Sequence, residues 1–376
     1  MLNRCLILKS QAPSLNISGI SQCDDVVKMR EGIKSLAAGK EMDCGAAGTT
    51  FRFLTMRASK EPGQWLLKGS ERLLNRPHET LLSLLTQLGV EAKISEQGLY
   101  INSSGWSWRA DVPLQVDCSK STQFASALLL SAWELKQPLQ MHLLNPDLSQ
   151  GYLNMTIDLV KKAGMELVEE GDVIKIPANQ KISASQLEAE ADLSSAFAVA
   201  AVGVVTSGVK ILNFPQHSLQ PDKVFVEILK AMNVPVSLKG SLLTVSKAEK
   251  LEPISWDLAD SPDLFPVLSV LCSLAQGRSH LYGAPHLVYK ESDRVGKSAE
   301  LINKLGRTVE LRDDGLIIQG SAEKPITSFS FDTDHDHRLA FAAAVAKAYG
   351  ASVDIQNKDV VNKSFPEFWQ VIGGAL

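Results

Sequence analysis

Four times along this chain, apolar residues at helical spacing give way to strict alternation. Each amphipathic stretch stops at a glycine or asparagine, and a short alternating pair of segments follows. The copies are Leu88-Gly89 before residues 90–101, Ala163-Gly164 before 165–176, Met232-Asn233 before 234–245, and Leu305-Gly306 before 307–318. A period near 3.6 that changes to a period of 2 predicts a helix followed by a β-hairpin. The Gly and Asn positions step by 75, 69 and 73 residues. A second series of helix starts lies near Gly48, Ser121, Asp192, Ser261 and Asp336, with steps of 73, 71, 69 and 75. Two interleaved series with one period predict a duplicated unit of helix, strand, helix and hairpin. Extended along the chain, the ruler gives six units. The first lacks its hairpin, because Ala38-Gly39 leads almost at once to Gly48, and the sixth ends at the C-terminus. Solenoid repeats run to about 20–50 residues. Units this long predict instead two globular domains of three units each, in the α/β (α+β) class.

Composition and length agree with that reading. A chain of 376 residues is expected to hold two domains, each with its own core. With 45% apolar and 21% charged residues it is an ordinary globular sequence. No apolar run reaches the ~18–20 residues of a membrane span, and residues 196–205 read as a buried helix. Residues 1–10 show no leader cleavage site, so a cytoplasmic protein is expected. Cys5, Cys23, Cys44, Cys118 and Cys272 are scattered and odd in number, which predicts reduced, buried thiols. The net charge of −4 gives no reason to expect nucleic acid or an anionic membrane as a partner. An anionic substrate must therefore meet a local cluster of bases. Residues 211–218, with Pro215, His217 and Ser218, suit a crossover between domains and place the boundary at 1–214 and 215–376.

The candidate chemistry sits at helix starts. Tyr289-Lys290-Glu291-Ser292-Asp293-Arg294 is expected to open a helix that runs to Leu305-Gly306, where i,i+4 pairing alone would also support such a run. Gly45-Ala46-Ala47-Gly48-Thr49-Thr50 places small residues and hydroxyls ahead of an apolar helix. Free N–H groups and the helix dipole suit that turn to phosphate or carboxylate, as they would an ordinary glycine cap. No Lys follows at the position a Walker loop requires. Ser121-Thr122-Gln123-Phe124 clusters three polar groups where N-capping needs one. Asp336-His337-Arg338 and Lys363-Ser364-Phe365-Pro366 precede the last two helices, and Arg76-Pro77 puts a base where a helix dipole disfavours cations. His335 and His337 have no third ligand nearby in sequence, so no metal is expected.

In order along nearly the whole chain stand Gly48-Thr49-x-x-Arg52, Arg72…Arg76-Pro77, Ser121-Thr122-Gln123-Phe124, Lys290-Glu291-Ser292-Asp293-Arg294, Asp336-His337-Arg338 and Lys363-Ser364-Phe365-Pro366. Together they resemble the enolpyruvyl transferase family, in its branch acting on shikimate 3-phosphate. The resemblance implies a two-domain fold, each domain made of three repeated βαββ-type units about a pseudo-threefold axis. It implies transfer of the enolpyruvyl group of phosphoenolpyruvate to the 5-hydroxyl of shikimate 3-phosphate, with release of phosphate, by a monomer needing no metal and no organic cofactor. By the same resemblance Asp263 is the base and Glu291 the proton donor, with Lys290 beside them. Gly48, Arg76, Gln123, Arg294, Arg338 and Lys363 correspond to the phosphoenolpyruvate site. Arg4, Ser121, Thr122, Gln123, Ser149, Tyr152, Asp263 and Lys290 correspond to the shikimate 3-phosphate site. Arginine suits bidentate contacts to carboxylate and phosphate, and lysine supplies a compact charge.

The chain departs from the family pattern in three places. His286 stands where many relatives carry Asn, and Phe53 replaces a common Pro after Arg52. The family's N-terminal strand and its Lys-Ser pair are missing ahead of Asn3-Arg4, from which an upstream start codon is expected. A transferase acting on UDP-N-acetylglucosamine would share fold and chemistry but would carry a Cys before Arg-Pro, and residues 69–77 contain none. An RNA 3′-phosphate cyclase shares the repeat more distantly and would need its own catalytic His motif. A non-catalytic ligand-binding homologue is favoured only by the missing Lys.

Overall fold

The structure, a computed structural model, describes residues 1–146, 149–325 and 328–375. It divides into two compact units, Met1–Glu190 and Ala191–Leu376. In the first unit, α1 (Leu2–Lys9), β1 (Asn16–Ser18) and α2 (Asp24–Ala37) lead into two full repeats. One repeat comprises β2 (Met42–Asp43), α3 (Gly48–Ser59), β3 (Gly63–Lys68), α4 (Glu71–Leu74), α5 (Glu79–Gln87), β4 (Glu91–Ser95) and β5 (Gly98–Ser103). The next comprises β6 (Leu114–Asp117), α6 (Gln123–Ser131), β7 (Leu139–Leu144), α7 (Gln150–Lys162), β8 (Val168–Glu170) and β9 (Val173–Ile176). Finally β10 (Gln186–Glu188) pairs in parallel with β1.

The second unit begins with α8 (Leu193–Val205), β11 (Val209–Ile211), α9 (Phe225–Ala231), β12 (Val236–Lys239) and β13 (Leu242–Val245). A full repeat follows: β14 (Ser255–Asp257), α10 (Phe265–Leu274), β15 (Gly277–Tyr282), α11 (Arg294–Lys304), β16 (Thr308–Arg312) and β17 (Gly315–Gly320). The last elements are β18 (Ser328–Asp332), α12 (His337–Tyr349), β19 (Ser352–Gln356) and α13 (Phe368–Ile372). Each full repeat builds one mixed four-stranded sheet, in the orders β2-β3-β5-β4, β6-β7-β9-β8 and β14-β15-β17-β16. In each, the leading strand pairs in parallel with the strand after the first helix, and the hairpin is antiparallel.

All four hairpins stand where the alternation put them. The residues that set the ruler share a physical cause: Gly89, Gly164, Asn233 and Gly306 have φ of 69, 106, 63 and 74°. Each ends a helix in the left-handed region, which glycine adopts freely and asparagine tolerates. Missing from the sequence reading is the strand that leads each repeat. It is two to four residues long in β2, β6 and β14, too short to show a period.

The first helix of each repeat forms the core. In the first unit α3 and α6 pack on each other and on α1, around Phe51, Phe53, Phe124 and Leu128. In the second, α8, α10 and α12 pack together through Phe197, Phe265, Leu268 and Phe341. A helix apolar all round belongs at such a centre, and residues 196–205 are found there within α8. All five cysteines are free and buried.

The units part at Glu190 and Ala191, upstream of the boundary expected at 214/215. Residues 191–214 belong to the second unit. There β11 pairs with β13, and Phe214 meets the Phe225 ring edge-on at 6.0 Å. The turn-rich composition of residues 211–218 marks a loop inside one unit.

Candidate active site

In the second unit three helix starts converge on one buried guanidinium. A 3-10 turn, Pro262–Leu264, carries Asp263 into α10. A second such turn, Pro285–Tyr289, is followed by Lys290, Glu291 and Ser292 outside any helix. The helix opens at Arg294 rather than at Tyr289. Asp293 caps it by accepting from the Gly296 N–H, so the residues before Asp293 lie outside the helical ladder. The i,i+4 reading of the charged run therefore does not apply. Glu291 instead reaches Arg294 across the cap.

Arg294 is 2% exposed. Its Nη1 donates to Asp263 Oδ1 at 2.7 Å, Nη2 to Glu291 Oε2 at 2.9 Å, and Nε to Asp336 Oδ2 at 2.8 Å. Asp336 is fully buried and caps α12, accepting from the Arg338 N–H at 2.9 Å and from Ser292 Oγ at 2.9 Å. Arg338 Nη2 donates to Asp263 Oδ2 at 3.1 Å, and Lys363 Nζ stands 3.7 Å from Glu291 Oε1. Burial alone would push the Asp263 carboxyl up. Arg338, then Arg294 and Lys290, outweigh it and hold the group well below the usual carboxylate range. Burial would likewise lower Arg294, but Asp336, Glu291 and Asp263 raise it well above its ordinary value. The Nε and Nη1 donors of Arg338 are buried and have no hydrogen-bond partner among the described residues. Such donors are costly to bury unless an anion meets them.

In the first unit two sets of hydrogen bonds meet at residues 121–123 and gather most of the expected residues. Gly48 opens α3 beside Arg76, where a Cβ would lie 2.7 Å from Arg76 Nη1, so a larger residue would have to displace the guanidinium. Thr49 Oγ1 accepts from Gln123 Nε2 at 3.1 Å. Arg52 Nη1 donates to Gln123 Oε1 at 2.7 Å and to Ser121 Oγ at 3.3 Å, with its guanidinium 4.7 Å over the Phe124 ring. Thr122 Oγ1 donates to the Ser149 carbonyl at 2.9 Å, and Ser149, at φ 58°, precedes α7. The Tyr152 N–H donates to that same carbonyl at 3.2 Å. Arg4 Nη2 then donates to the Tyr152 carbonyl at 3.3 Å. Ser121 and Gln123 thus share one set of hydrogen bonds and Thr122, Ser149, Tyr152 and Arg4 another, with Gly48 beside Arg76 in the same unit, while Asp263, Lys290, Glu291, Arg294, Arg338 and Lys363 fall in the other unit's cluster.

Residues with no assigned role in the sequence reading complete both networks. Arg52 and Asp336 lay inside the quoted motifs, and a helix-start Asp behind an Arg-containing motif is a signal for a buried clamp. Thr156 lies four residues after Tyr152 on α7, so their spacing puts them on one face. Three buried histidines stay neutral. Burial, Lys290 and Arg294 push His286 down to about 3 against Asp263, and burial, Arg338 and Lys363 put His337 well below its ordinary value. Burial, with Arg52 and Arg76, pushes His78 down to about 4 although it contacts the Leu73 carbonyl.

These shifts predict an acid-sensitive fold. Above about pH 6.5 folded and unfolded histidines are both neutral, and the stability is complete. As pH falls the unfolded chain takes up protons that the folded chain refuses, so stability is lost down to the folded pKa. Acidification from pH 7 to 5 should cost about 2 kcal/mol through His78 alone. Urea unfolding at both pH values should show a smaller loss in His78→Phe than in the parent chain. Equal losses would contradict a neutral, buried His78.

Known proteins resemble this chain along most of its length. The family model described as EPSP synthase (3-phosphoshikimate 1-carboxyvinyltransferase) matches residues 14–372. The 3-phosphoshikimate 1-carboxyvinyltransferase of Methanocaldococcus jannaschii is 33% identical over 338 residues, covering 88% of this chain and 78% of that protein. That of Clostridium novyi is 30% identical over 342 residues, covering 89% and 77%. Among solved structures, the EPSP synthase of Acinetobacter baumannii superposes with a TM-score of 0.74 at 20% identity, covering 99% of this chain and 93% of its own. The enolpyruvyl transferase NikO of Streptomyces tendae gives 0.71 at 15% identity, covering 99% and 92%.

Proposed function

The chain belongs to the EPSP synthase (3-phosphoshikimate 1-carboxyvinyltransferase) family, and from that membership we propose how its residues carry out the family's reaction, transfer of the enolpyruvyl group of phosphoenolpyruvate to the 5-hydroxyl of shikimate 3-phosphate with release of phosphate. The observation that carries the proposal is the Arg294–Arg338 pair bound to Asp263, with Glu291 on the same guanidinium. It sets two strong anion receptors beside two carboxylates.

Chemically, the acceptor hydroxyl must lose a proton as its oxygen bonds to C2 of phosphoenolpyruvate, while the C3 methylene gains one. The adduct then loses a proton from C3 as the C2–O bond to phosphate breaks. Asp263 takes the hydroxyl proton, and Glu291 delivers a proton to C3 and takes one back from the resulting methyl group on elimination. Arg294, Arg338 and Lys363 receive the negative groups of phosphoenolpyruvate. Fixed cations stabilise charge that develops during addition without reorganising.

The free protein holds Asp263 as a poor base, since two arginines favour its charged form. Anions that take over those arginines weaken this hold and raise its basicity. The catalytic base is thereby readied by substrate binding. Ser121, Thr122, Ser149, Tyr152 and Arg4 supply hydroxyl and cationic contacts for shikimate 3-phosphate, and the chain acts as a monomer.

Phosphate release from phosphoenolpyruvate, followed in parallel with shikimate 3-phosphate and with UDP-N-acetylglucosamine, tests the acceptor. Turnover with shikimate 3-phosphate alone is expected. Turnover with the nucleotide sugar alone would overturn the assignment.

A further inference from the structure

Arg4 is held differently from Arg294, which is also buried at the centre of a cluster. Where Arg294 touches three carboxylates, no carboxylate among the described residues touches Arg4, which is 7% exposed. Every group on it is neutral. Nε donates to Thr156 Oγ1 at 2.7 Å, Nη2 donates to the Tyr152 carbonyl, and the guanidinium lies 5.4 Å over the Phe53 ring. Thr156 is itself fully buried, and its single proton can go to the Tyr152 carbonyl or to Ser126 Oγ, each 3.0 Å away. Ser126 is fully buried on α6, the helix that Ser121, Thr122 and Gln123 begin.

This seat fixes the direction of the guanidinium without cancelling its charge. A buried arginine serving only the fold is normally matched by a carboxylate, because an uncompensated buried charge is expensive. Here burial draws the Arg4 pKa down to about 10, the mark of a charge left uncompensated. The missing counter-charge is then the ligand's. A hydroxyl whose own donor is committed deeper in the core can only accept from Nε, so Thr156 locks one edge of the guanidinium and leaves the remaining N–H groups for an incoming anion. Phe53 supports the plane from below through its ring face.

We propose that Thr156, backed by Ser126 and Phe53, is a positioning residue that sets the affinity for shikimate 3-phosphate by orienting Arg4 in a carboxylate-free seat. The proposal rests on the assignment of Arg4 to that substrate.

The test is a double-mutant cycle on the full chain, with Thr156→Val, Thr156→Ser, Arg4→Gln and Arg4→Gln/Thr156→Val. The dissociation constant for shikimate 3-phosphate is read by calorimetry, and KM for phosphoenolpyruvate and the melting temperature alongside it. Thr156→Val should weaken shikimate 3-phosphate by at least about tenfold, with KM for phosphoenolpyruvate unmoved. Thr156→Ser should restore affinity, and the valine change should cost nothing further once Arg4 is glutamine. Phe53→Leu should give a smaller loss of the same selectivity, which keeps the idea testable if the valine variant folds poorly. A Thr156→Val loss that persists in the Arg4→Gln background, or that affects both substrates and is not rescued by serine, overturns the inference. Should Arg4→Gln weaken binding while Thr156→Val and Phe53→Leu do not, the inference fails and the Arg4 assignment stands. An Arg4→Gln variant that binds shikimate 3-phosphate like the parent sinks the assignment itself.

Discussion

Glu291→Gln is expected to lower kcat by about two to four orders of magnitude, the usual worth of a positioned proton donor. Glutamine keeps the size of the side chain and still offers an oxygen to Arg294 Nη2, which Glu291 now engages at 2.9 Å. What it removes is the transferable proton. Binding of both substrates should change little, so kcat and kcat/KM should fall together, the signature of an interaction made only in the transition state. Steady-state kinetics with both substrates varied decides the matter. A variant that keeps kcat but raises KM for phosphoenolpyruvate would make Glu291 a binding group and move the proton donor elsewhere.

Asp336→Ala carries the largest expected effect on stability. Asp336 is fully buried and gathers Arg294 Nε, Ser292 Oγ and the Arg338 N–H on one carboxylate. Removing one partner of a buried ion pair costs about 3–5 kcal/mol, because the remaining charge stays desolvated. Urea unfolding should show that loss, and the unseated Arg294 should weaken phosphoenolpyruvate as well. Asp336→Asn, which keeps an oxygen for the cap but not the charge, should fall between alanine and the parent chain. If Asp336→Ala unfolds at the parental urea concentration, the carboxylate is not the clamp described.

Periodicity revealed the repeats because the features that produce it are local. A left-handed residue after each helix, at Gly89, Gly164, Asn233 and Gly306, forces glycine or asparagine and restarts the pattern. The leading strands β2, β6 and β14 left no trace. A strand of two to four residues pairs because its neighbour is already in place, not because of its own sequence. The unit boundary was misplaced for a related reason: residues 211–218 have the composition of a linker, yet Phe214 is fixed by Phe225 in the second unit. At the candidate site, motif resemblance named the charged groups that would meet substrate. It missed the groups behind them. Ser292 and Thr156 are small hydroxyl residues whose importance comes only from what they touch, Asp336 in one case and Arg4 in the other. Nothing in a single sequence distinguishes such a hydroxyl from an ordinary helix or loop residue.

The central claim is that this chain adds the shikimate 3-phosphate hydroxyl to C2 of phosphoenolpyruvate, protonates C3, and then eliminates phosphate. Nuclear magnetic resonance of the products formed from the two substrates in deuterium oxide observes both halves of that sequence at once. The account predicts one enolpyruvyl ether on the 5-oxygen for each phosphate released, with solvent deuterium in its methylene group, because C3 passes through a methyl. An ether whose methylene carries no deuterium, or phosphate released without any ether, would contradict it.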